Sequence, residues 1–241
     1  MDLDALMPFA LALVEFLEGD AEAELTVRRD DGLESPIPVS HFFRAPAEFS
    51  AIENAAIDRC RGSVLDIGAG TGLHTLVLQS RGLCVTAIDI DPRAVDVMRR
   101  QGVLDPRCVD VNDFEAGPFG TLLMLGHGIG VVETLAGLGP FLAHAHQLTG
   151  RDGQLLVHSM DVRQTNDPTN LAYHEANRRS GRYVGEIRIQ FEFAGHCGPY
   201  CGWLHVDRQT LAEYAVSAGW NCEIILEQEG GDYLAHLAPT A

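Results

Sequence analysis

The chain has 241 residues, of which 46% are hydrophobic, and its formal net charge is −17. This length fits one α/β domain with an added cap, and the apolar fraction is enough for a packed core. A surface this acidic repels phosphate groups, so we expect no nucleic-acid partner and no membrane partner.

The first 50 residues are predicted to form an N-terminal helical cap. Residues 6–17 are apolar, but Glu15 interrupts them and no basic residue precedes them, which indicates an amphipathic helix rather than a targeting segment. Residues 23–28 fit a short strand. Six cysteines are spread along the chain without a dense disulfide pattern, so we expect a reducing, cytoplasmic location. Three of them lie in apolar runs and are expected in the core: Cys84, Cys108 and Cys222.

After residue 50, apolar strands alternate with helices, which predicts a doubly wound α/β domain with a mostly parallel sheet. A helix over 47–61 leads into five strand candidates: residues 63–67, 84–89, 108–111, 121–125 and 154–159. Residues 160–207 then predict a lid helix and a β-hairpin inserted after the fifth strand. Two final runs complete a seven-stranded sheet with an antiparallel last strand: residues 222–228 and 232–237. The predicted domains are therefore 1–50 and 51–241.

A glycine-rich loop joins the first of these strands to a helix. Its sequence is Gly68-Ala69-Gly70-Thr71-Gly72, and glycine at alternate positions lets a backbone approach a ligand closely. Dinucleotide enzymes use a different spacing, G-x-G-x-x-G. Asp66 stands two residues before the loop, where a carboxylate would repel a pyrophosphate but suits a cationic aminoacyl sulfonium. A turn that binds nothing is the remaining interpretation.

Residues 50–160 resemble the class I S-adenosylmethionine-dependent methyltransferases. The resemblance implies a Rossmann-like fold, S-adenosylmethionine as cofactor, and the glycine loop packed against the donor's amino acid part. It places Asp89 on the ribose hydroxyls, Ile90 beside the adenine, and Asp110 with the Val111 amide near the adenine amino group. The donor-binding residues that it implies are Asp66, Gly68, Ala69, Gly70, Thr71, Gly72, Asp89, Ile90, Asp110, Val111 and Leu125.

The chain departs from that family's usual pattern at two places. Gly120 stands before the fourth strand, where the family often has Asp, and Arg151-Asp152-Gly153 replaces the usual Pro-Gly-Gly turn. Neither change removes a donor contact, but both leave the subfamily open.

The acceptor side carries no specific motif. His127 follows the fourth strand at the carboxyl end of the sheet, where it is a candidate general base. It could equally close its loop by hydrogen bonding or stack on the donor. Further candidates for binding the substrate are His158, Asp161, Tyr173 and Tyr183.

These features favour methyl transfer to an oxygen or nitrogen atom of a small molecule by in-line displacement. The alternatives are an NAD-type oxidoreductase and a module that binds the donor or its product without catalysis. The Pro-Pro-Tyr motif of nucleic-acid amino methyltransferases is absent. A zinc site is a weaker interpretation of one group of side chains, and we expect no metal. That group is His196, Cys197, Cys201 and His205.

Overall fold

The computed structural model describes residues 1–240, and this range contains seven α-helices and twelve β-strands. The helices are α1 (Leu3–Glu18), α2 (Ala51–Ile57), α3 (Leu73–Ser80), α4 (Pro92–Gln101), α5 (Leu135–Leu148), α6 (Pro168–Arg179) and α7 (Arg208–Ser217). The strands are β1 (Glu24–Arg29), β2 (Glu34–Pro38), β3 (Val64–Ile67), β4 (Val85–Asp89), β5 (Pro106–Cys108), β6 (Phe119–Met124), β7 (Thr149–Met160), β8 (Glu186–Phe193), β9 (His196–Cys197), β10 (Cys201–Leu204), β11 (Trp220–Glu227) and β12 (Asp232–Pro239).

Seven of the strands form one sheet in the order β11-β12-β7-β6-β3-β4-β5. The pairs β3–β4, β4–β5 and β6–β7 are parallel, whereas β12 runs antiparallel to both of its neighbours, β7 and β11. All four residues of β3 are buried, as expected for a strand covered on both faces. The predicted α/β fold, with its mostly parallel sheet and antiparallel finish, is confirmed.

A second, smaller sheet has the order β10-β8-β1-β2, and the short strand β9 also pairs with β8. The predicted hairpin corresponds to β8 and β10. The N-terminal segment is more than a helix, because it adds β1 and β2 to this sheet. Arg28 on β1 contributes an ion pair to Glu192 on β8, which lies across the strand pair.

The chain divides into two compact units. The first unit comprises residues 1–50, 61–114 and 188–201. Its helix α1 packs against α4 and β1. The Phe9 ring lies 5.0 Å from that of Phe42 and 5.7 Å from that of Phe191, measured between centroids. These ring contacts cover part of the apolar surface of α1, which is unfavourable to expose to water.

The second unit comprises residues 51–60, 115–187 and 202 onward. Trp220 at the start of β11 is fully buried, and its Nε1 donates a hydrogen bond of 2.9 Å to the Leu142 carbonyl. The Tyr233 hydroxyl donates to the Val206 carbonyl at 2.6 Å. Both of these buried polar groups therefore have backbone partners. The predicted domain boundary at residue 50 and the predicted insertion 160–207 stay predictions.

Several boundaries differ from those expected. The third strand of the domain ends at Cys108, and Asp110 lies beyond it as the N-cap of a short 3-10 helix, Val111–Asp113. Its carboxylate accepts a hydrogen bond from the Asn112 amide, a local turn that competes with strand pairing. The helix expected over 47–61 is shorter, since a 3-10 turn at Pro46–Glu48 precedes α2.

The prediction that three cysteines lie in the core is wrong. Cys84 and Cys108 are exposed and Cys222 is half-buried. Cys84 precedes β4, and Cys108 lies on β5, the strand at one edge of the large sheet. Apolar neighbours in sequence do not bury a side chain at such a position. Across residues 1–240, no helix combines the length and the apolar character needed to cross a membrane.

Candidate functional site

The glycine loop lies between β3 and α3 in the first unit. Gly68, Gly70 and Gly72 have φ angles of +69°, +57° and +78°, a region that L side chains rarely adopt. A Cβ on Gly70 would meet nothing within 4 Å, whereas one on Gly72 would lie 2.4 Å from the Val103 side chain. Gly70 therefore borders open space that a ligand can use, and Gly72 serves close packing of the loop on α4 and its following residues.

Asp89, the last residue of β4, contacts this glycine loop. Its carboxylate accepts hydrogen bonds of 3.0 Å from the Gly70 and Asp91 amides. Burial raises the pKa of Asp89 to about 6, although these two amide donors act in the opposite direction. An acid held at the end of the second parallel strand is well placed to bind neighbouring hydroxyl groups.

Asp66 and Thr71 connect the glycine loop to neighbouring segments through side-chain hydrogen bonds. Asp66 is buried, and its carboxylate accepts a hydrogen bond of 2.7 Å from the Thr75 hydroxyl on α3. Burial raises the pKa of Asp66. The Thr71 hydroxyl donates to the Phe42 carbonyl at 2.6 Å. Ala69 packs against the buried cluster that contains Val95 and Met98.

The remaining predicted donor residues of the first unit follow β4 and β5. Ile90 is half-buried, Val111 is buried, and the Asp110 carboxylate accepts hydrogen bonds from both nitrogens of Asn112. Leu125 is buried and belongs to the second unit, directly after β6. The small-residue loop, the open space at Gly70 and the Asp89 carboxylate together fit an adenosyl ligand with an amino acid tail.

In the second unit, two of the predicted acceptor residues lie together with one that was not predicted. His127 follows β6, His158 lies near the end of β7, and Asp232 begins β12; we call these three side chains the histidine–aspartate cluster. The Asp232 Oδ1 atom lies 2.6 Å from the His127 Nε2 atom and 3.1 Å from the His158 Nε2 atom. The two imidazole centroids are 4.2 Å apart.

Sheet pairing explains this convergence. In the register of β12 on β7, Leu234 lies opposite His158 and Asp232 lies opposite Met160. The carboxyl end of β7 and the amino end of β12 therefore meet at one edge of the sheet. His127 has φ +58°, which is unusual for a residue with a side chain, and this backbone turn accompanies its approach to the other two.

The electrostatics of the cluster favour ionised Asp232 and uncharged His158. Hydrogen bonds from both imidazoles hold the pKa of Asp232 well below its usual range. Burial lowers the pKa of His158. The side chains of His127, His158 and Asp232 stay 30%, 11% and 23% exposed, so the cluster is open to a ligand.

A fourth imidazole adjoins the cluster. The His205 ring lies 5.3 Å from the His127 ring, and burial lowers the pKa of His205 to about 3. Its Nδ1 atom is buried and has no hydrogen-bond partner in the described chain. Neither His205 nor Asp232 was predicted to belong with His127, because both lie far from it in sequence.

The other predicted acceptor residues are engaged elsewhere in the second unit. Asp161 binds the Arg163 guanidinium at 2.7 Å, and Arg163 also lies 2.9 Å from Asp207. The Tyr183 hydroxyl donates to Asp207 at 2.6 Å, and burial raises the pKa of Tyr183. Tyr173 on α6 is buried. Asp161 and Tyr183 are thus joined through Arg163 and Asp207 in one polar network.

The weaker zinc interpretation finds no support in the arrangement of its cysteines. Cys197 is exposed, whereas Cys201 is buried and its thiol donates to the Ile189 carbonyl at 3.6 Å. Within residues 1–240, one group of three or more His, Cys, Asp or Glu side chains brings its ligand atoms within 4.8 Å of one another, and it is the histidine–aspartate cluster.

Comparisons with known proteins agree with the geometry of the first unit. Residues 64–153 match the family model described as a methyltransferase domain. No curated protein matches the chain. A SAM-dependent methyltransferase from Bacteroides fragilis, solved in complex with S-adenosyl-L-homocysteine, is 32% identical, with 100% of this chain and 98% of that chain covered and a TM-score of 0.86.

Two more distant structures share the fold. The sugar N-methyltransferase KedS8 from Streptoalloteichus sp ATCC 53650 is 14% identical, with 84% of this chain and 92% of that chain covered and a TM-score of 0.56. DhpI, solved as a complex with SAH, is 17% identical, with 98% and 96% covered and a TM-score of 0.60. The chain therefore belongs to the S-adenosylmethionine-dependent methyltransferases, and S-adenosylmethionine is its methyl donor.

Proposed function

We propose that this enzyme transfers the methyl group to an oxygen or nitrogen atom of a small polar molecule, and that this atom binds at the histidine–aspartate cluster. The observation that carries the proposal is the convergence of His127, His158 and Asp232 at the carboxyl ends of β6 and β7, where ligands of α/β proteins bind. Two structures of the same fold are described as a sugar N-methyltransferase and an amino pentose methyltransferase, which favours a small polar acceptor. The net charge of −17 disfavours a nucleic-acid substrate.

The donor roles follow from the first unit. S-adenosylmethionine supplies a methyl group that its own sulfonium activates, so the protein mainly binds, orients and excludes water. We propose that Gly70 and its neighbours contact the amino acid part and that Asp89 accepts hydrogen bonds from the ribose hydroxyls. Ile90, Asp110 and Val111 are proposed to border the adenine. Leu125 stays a predicted donor contact.

The acceptor roles follow from the second unit. We propose that His127 and His158 contact the nucleophile, because both side chains are partly exposed and face one carboxylate. In the metal-free protein, Asp232 holds the Nε2 atom of His127, which leaves Nδ1 to accept a proton. The general-base role of His127 stays a prediction. The substrate-binding roles of Asp161, Tyr173 and Tyr183 also stay predictions.

A two-stage experiment tests the proposal. Calorimetric titration with S-adenosylmethionine, S-adenosylhomocysteine and NAD first establishes the ligand class. The protein is then incubated with the donor and a panel of amino sugars, neutral sugars, phenols and small amines, and S-adenosylhomocysteine and methylated products are quantified by mass spectrometry. We expect binding of the two sulfur ligands alone and turnover of at least one class of acceptor.

Two variants locate the acceptor. His127→Ala should lose most of the turnover while keeping donor affinity, and His196→Ala, which removes an exposed histidine of β9, should keep both. If the donor binds but the wild type turns over no panel compound, the small-molecule acceptor proposal loses its support and a non-catalytic module is favoured. If His127→Ala turns over as fast as the wild type, the acceptor does not bind at the cluster.

A further inference from the structure

We propose that the histidine–aspartate cluster is a binding site for one divalent transition-metal ion, with the Nε2 atoms of His127 and His158 and an oxygen of Asp232 as its protein ligands. Two imidazoles and one carboxylate are a ligand set that suits zinc and other first-row metals. The sequence singles out His127 and His158 but not Asp232, which lies 105 residues from His127.

Distances between the ligand atoms carry the proposal. A zinc ion binds imidazole nitrogen and carboxylate oxygen at about 2.0–2.2 Å, so neighbouring ligand atoms around a tetrahedral ion lie about 3.3–3.6 Å apart, and the three side chains must move apart slightly to admit it. The two nitrogen-to-oxygen separations are 2.6 and 3.1 Å, and all three atoms lie within 4.8 Å of one another. Modest side-chain movement would therefore admit an ion among them.

The number of imidazoles also favours a metal over a simple proton-accepting pair. A base with its orienting acid requires His127 and Asp232 alone. Here His158 directs its Nε2 to the same carboxylate oxygen, and the buried Nδ1 of His205 has no hydrogen-bond partner in the described chain. Buried polar atoms usually have a partner, so this unsatisfied nitrogen, on a ring 5.3 Å from that of His127, is consistent with a further polar group near the cluster.

The strands supply the rigidity that a metal site requires. His158 and Asp232 lie on two paired strands, whose register sets their separation. In the metal-free chain the His127 backbone amide also lies 3.4 Å from the His158 Nδ1 atom. Coordination through Nε2 puts a proton on Nδ1, so the ion must displace this contact, which at 3.4 Å is already long for a hydrogen bond.

Partial exposure leaves room for an exogenous ligand. Three protein ligands are the number found in catalytic zinc sites, where a fourth position is open to water or substrate. This last step rests on the proposed function and applies to an oxygen acceptor: a hydroxyl bound to the ion would have its pKa lowered, would lose its proton to solvent, and would keep a lone pair on oxygen for attack on the methyl carbon. His127 then acts as a ligand, and no general base is needed.

The metal site is testable without any acceptor. The full-length protein is freed of metal with a chelator and titrated with zinc chloride by calorimetry in the absence of S-adenosylmethionine. We expect one zinc ion per chain. Asp232→Asn and His158→Gln should each weaken binding by at least about 10- to 100-fold, the loss seen when even an outer-shell partner of a metal ligand is removed. His196→Gln should bind zinc like the wild type.

A spectroscopic measurement on the wild-type protein tests the metal site even if the variants fail to fold. Cobalt(II) added to the metal-free wild type should give visible absorption bands with nitrogen and oxygen ligands, and zinc should displace them. The absence of saturable zinc binding to the wild type would overturn the proposal. So would equal zinc affinity in Asp232→Asn, if circular dichroism shows that this variant is folded. Loss of the metal site leaves the methyltransferase proposal standing, because turnover of the panel is measured separately.

Discussion

Replacing Asp89 tests the donor site most directly. Its carboxylate lies at the end of β4 and accepts two backbone hydrogen bonds of 3.0 Å, one of them from Gly70 in the glycine loop. Hydrogen bonds from ribose hydroxyls to a carboxylate contribute about 1.5–3 kcal/mol, because the acceptor is charged. Asp89→Ala should therefore raise the dissociation constant for S-adenosylmethionine by about 10- to 150-fold.

The raised pKa of Asp89 leads to a second prediction, which concerns the pH dependence of donor affinity. Burial raises this pKa to about 6, and the ionised form is the one that would accept both of the proposed ribose hydrogen bonds. The carboxylate is almost fully ionised at pH 8, whereas at pH 5.5 only about a quarter of it is. Donor affinity should thus fall by about fourfold between these pH values. Asp89→Asn does not titrate and should lose this pH dependence.

Calorimetric titration at both pH values measures these effects. Asp96→Asn, which neutralises an exposed acid of α4, is the matched control and should bind the donor like the wild type at each pH. Unchanged affinity in folded Asp89→Ala would refute the ribose assignment. An equal pH dependence in Asp89→Asn would show that another group, or the donor itself, is responsible.

Three further substitutions separate binding from stability. Gly70→Val should abolish donor binding measured by calorimetry, since its side chain would enter the open space beside the loop and force a strained φ; normal binding would mean that the ligand lies elsewhere. Gly72→Ala should lower the melting temperature, because its Cβ would lie 2.4 Å from the Val103 side chain, and an unchanged value would contradict the packing role. Trp220→Phe loses the bond to the Leu142 carbonyl and should lower the free energy of unfolding by about 1–3 kcal/mol in urea titration, with donor affinity unchanged.

Local patterns in the sequence were sufficient to predict the fold and to propose the donor site. The glycine loop and the strand before it are contiguous in sequence, and the spacing of the glycines can be recognised without knowledge of distant contacts. The order of helices and strands was likewise predictable, because apolar runs and breaks alternate along the chain. The exposed Cys108 marks the limit of this reasoning, since it lies on the edge strand β5, and an edge strand and a central strand can have similar neighbours in sequence. The exposed Cys84 lies just before β4, outside the strand.

The histidine–aspartate cluster was only half predictable. His127 and His158 each follow or end a parallel strand, so their meeting at one edge of the sheet was a reasonable expectation. Asp232 joins them only because β12 is inserted antiparallel beside β7. The pairing partner of a strand is a property of the whole sheet, and nothing near Asp232 in sequence reveals it.

The place of β12 in the chain has a consequence for biosynthesis. The glycine loop and Asp89 lie within the first 90 residues, whereas Asp232 lies at the beginning of the last strand of the described chain. During translation from the amino end, the segments proposed to bind the donor emerge long before the strand that completes the cluster. A prematurely terminated product without β12 could retain the donor loop, but it would lack the carboxylate on which both imidazoles converge.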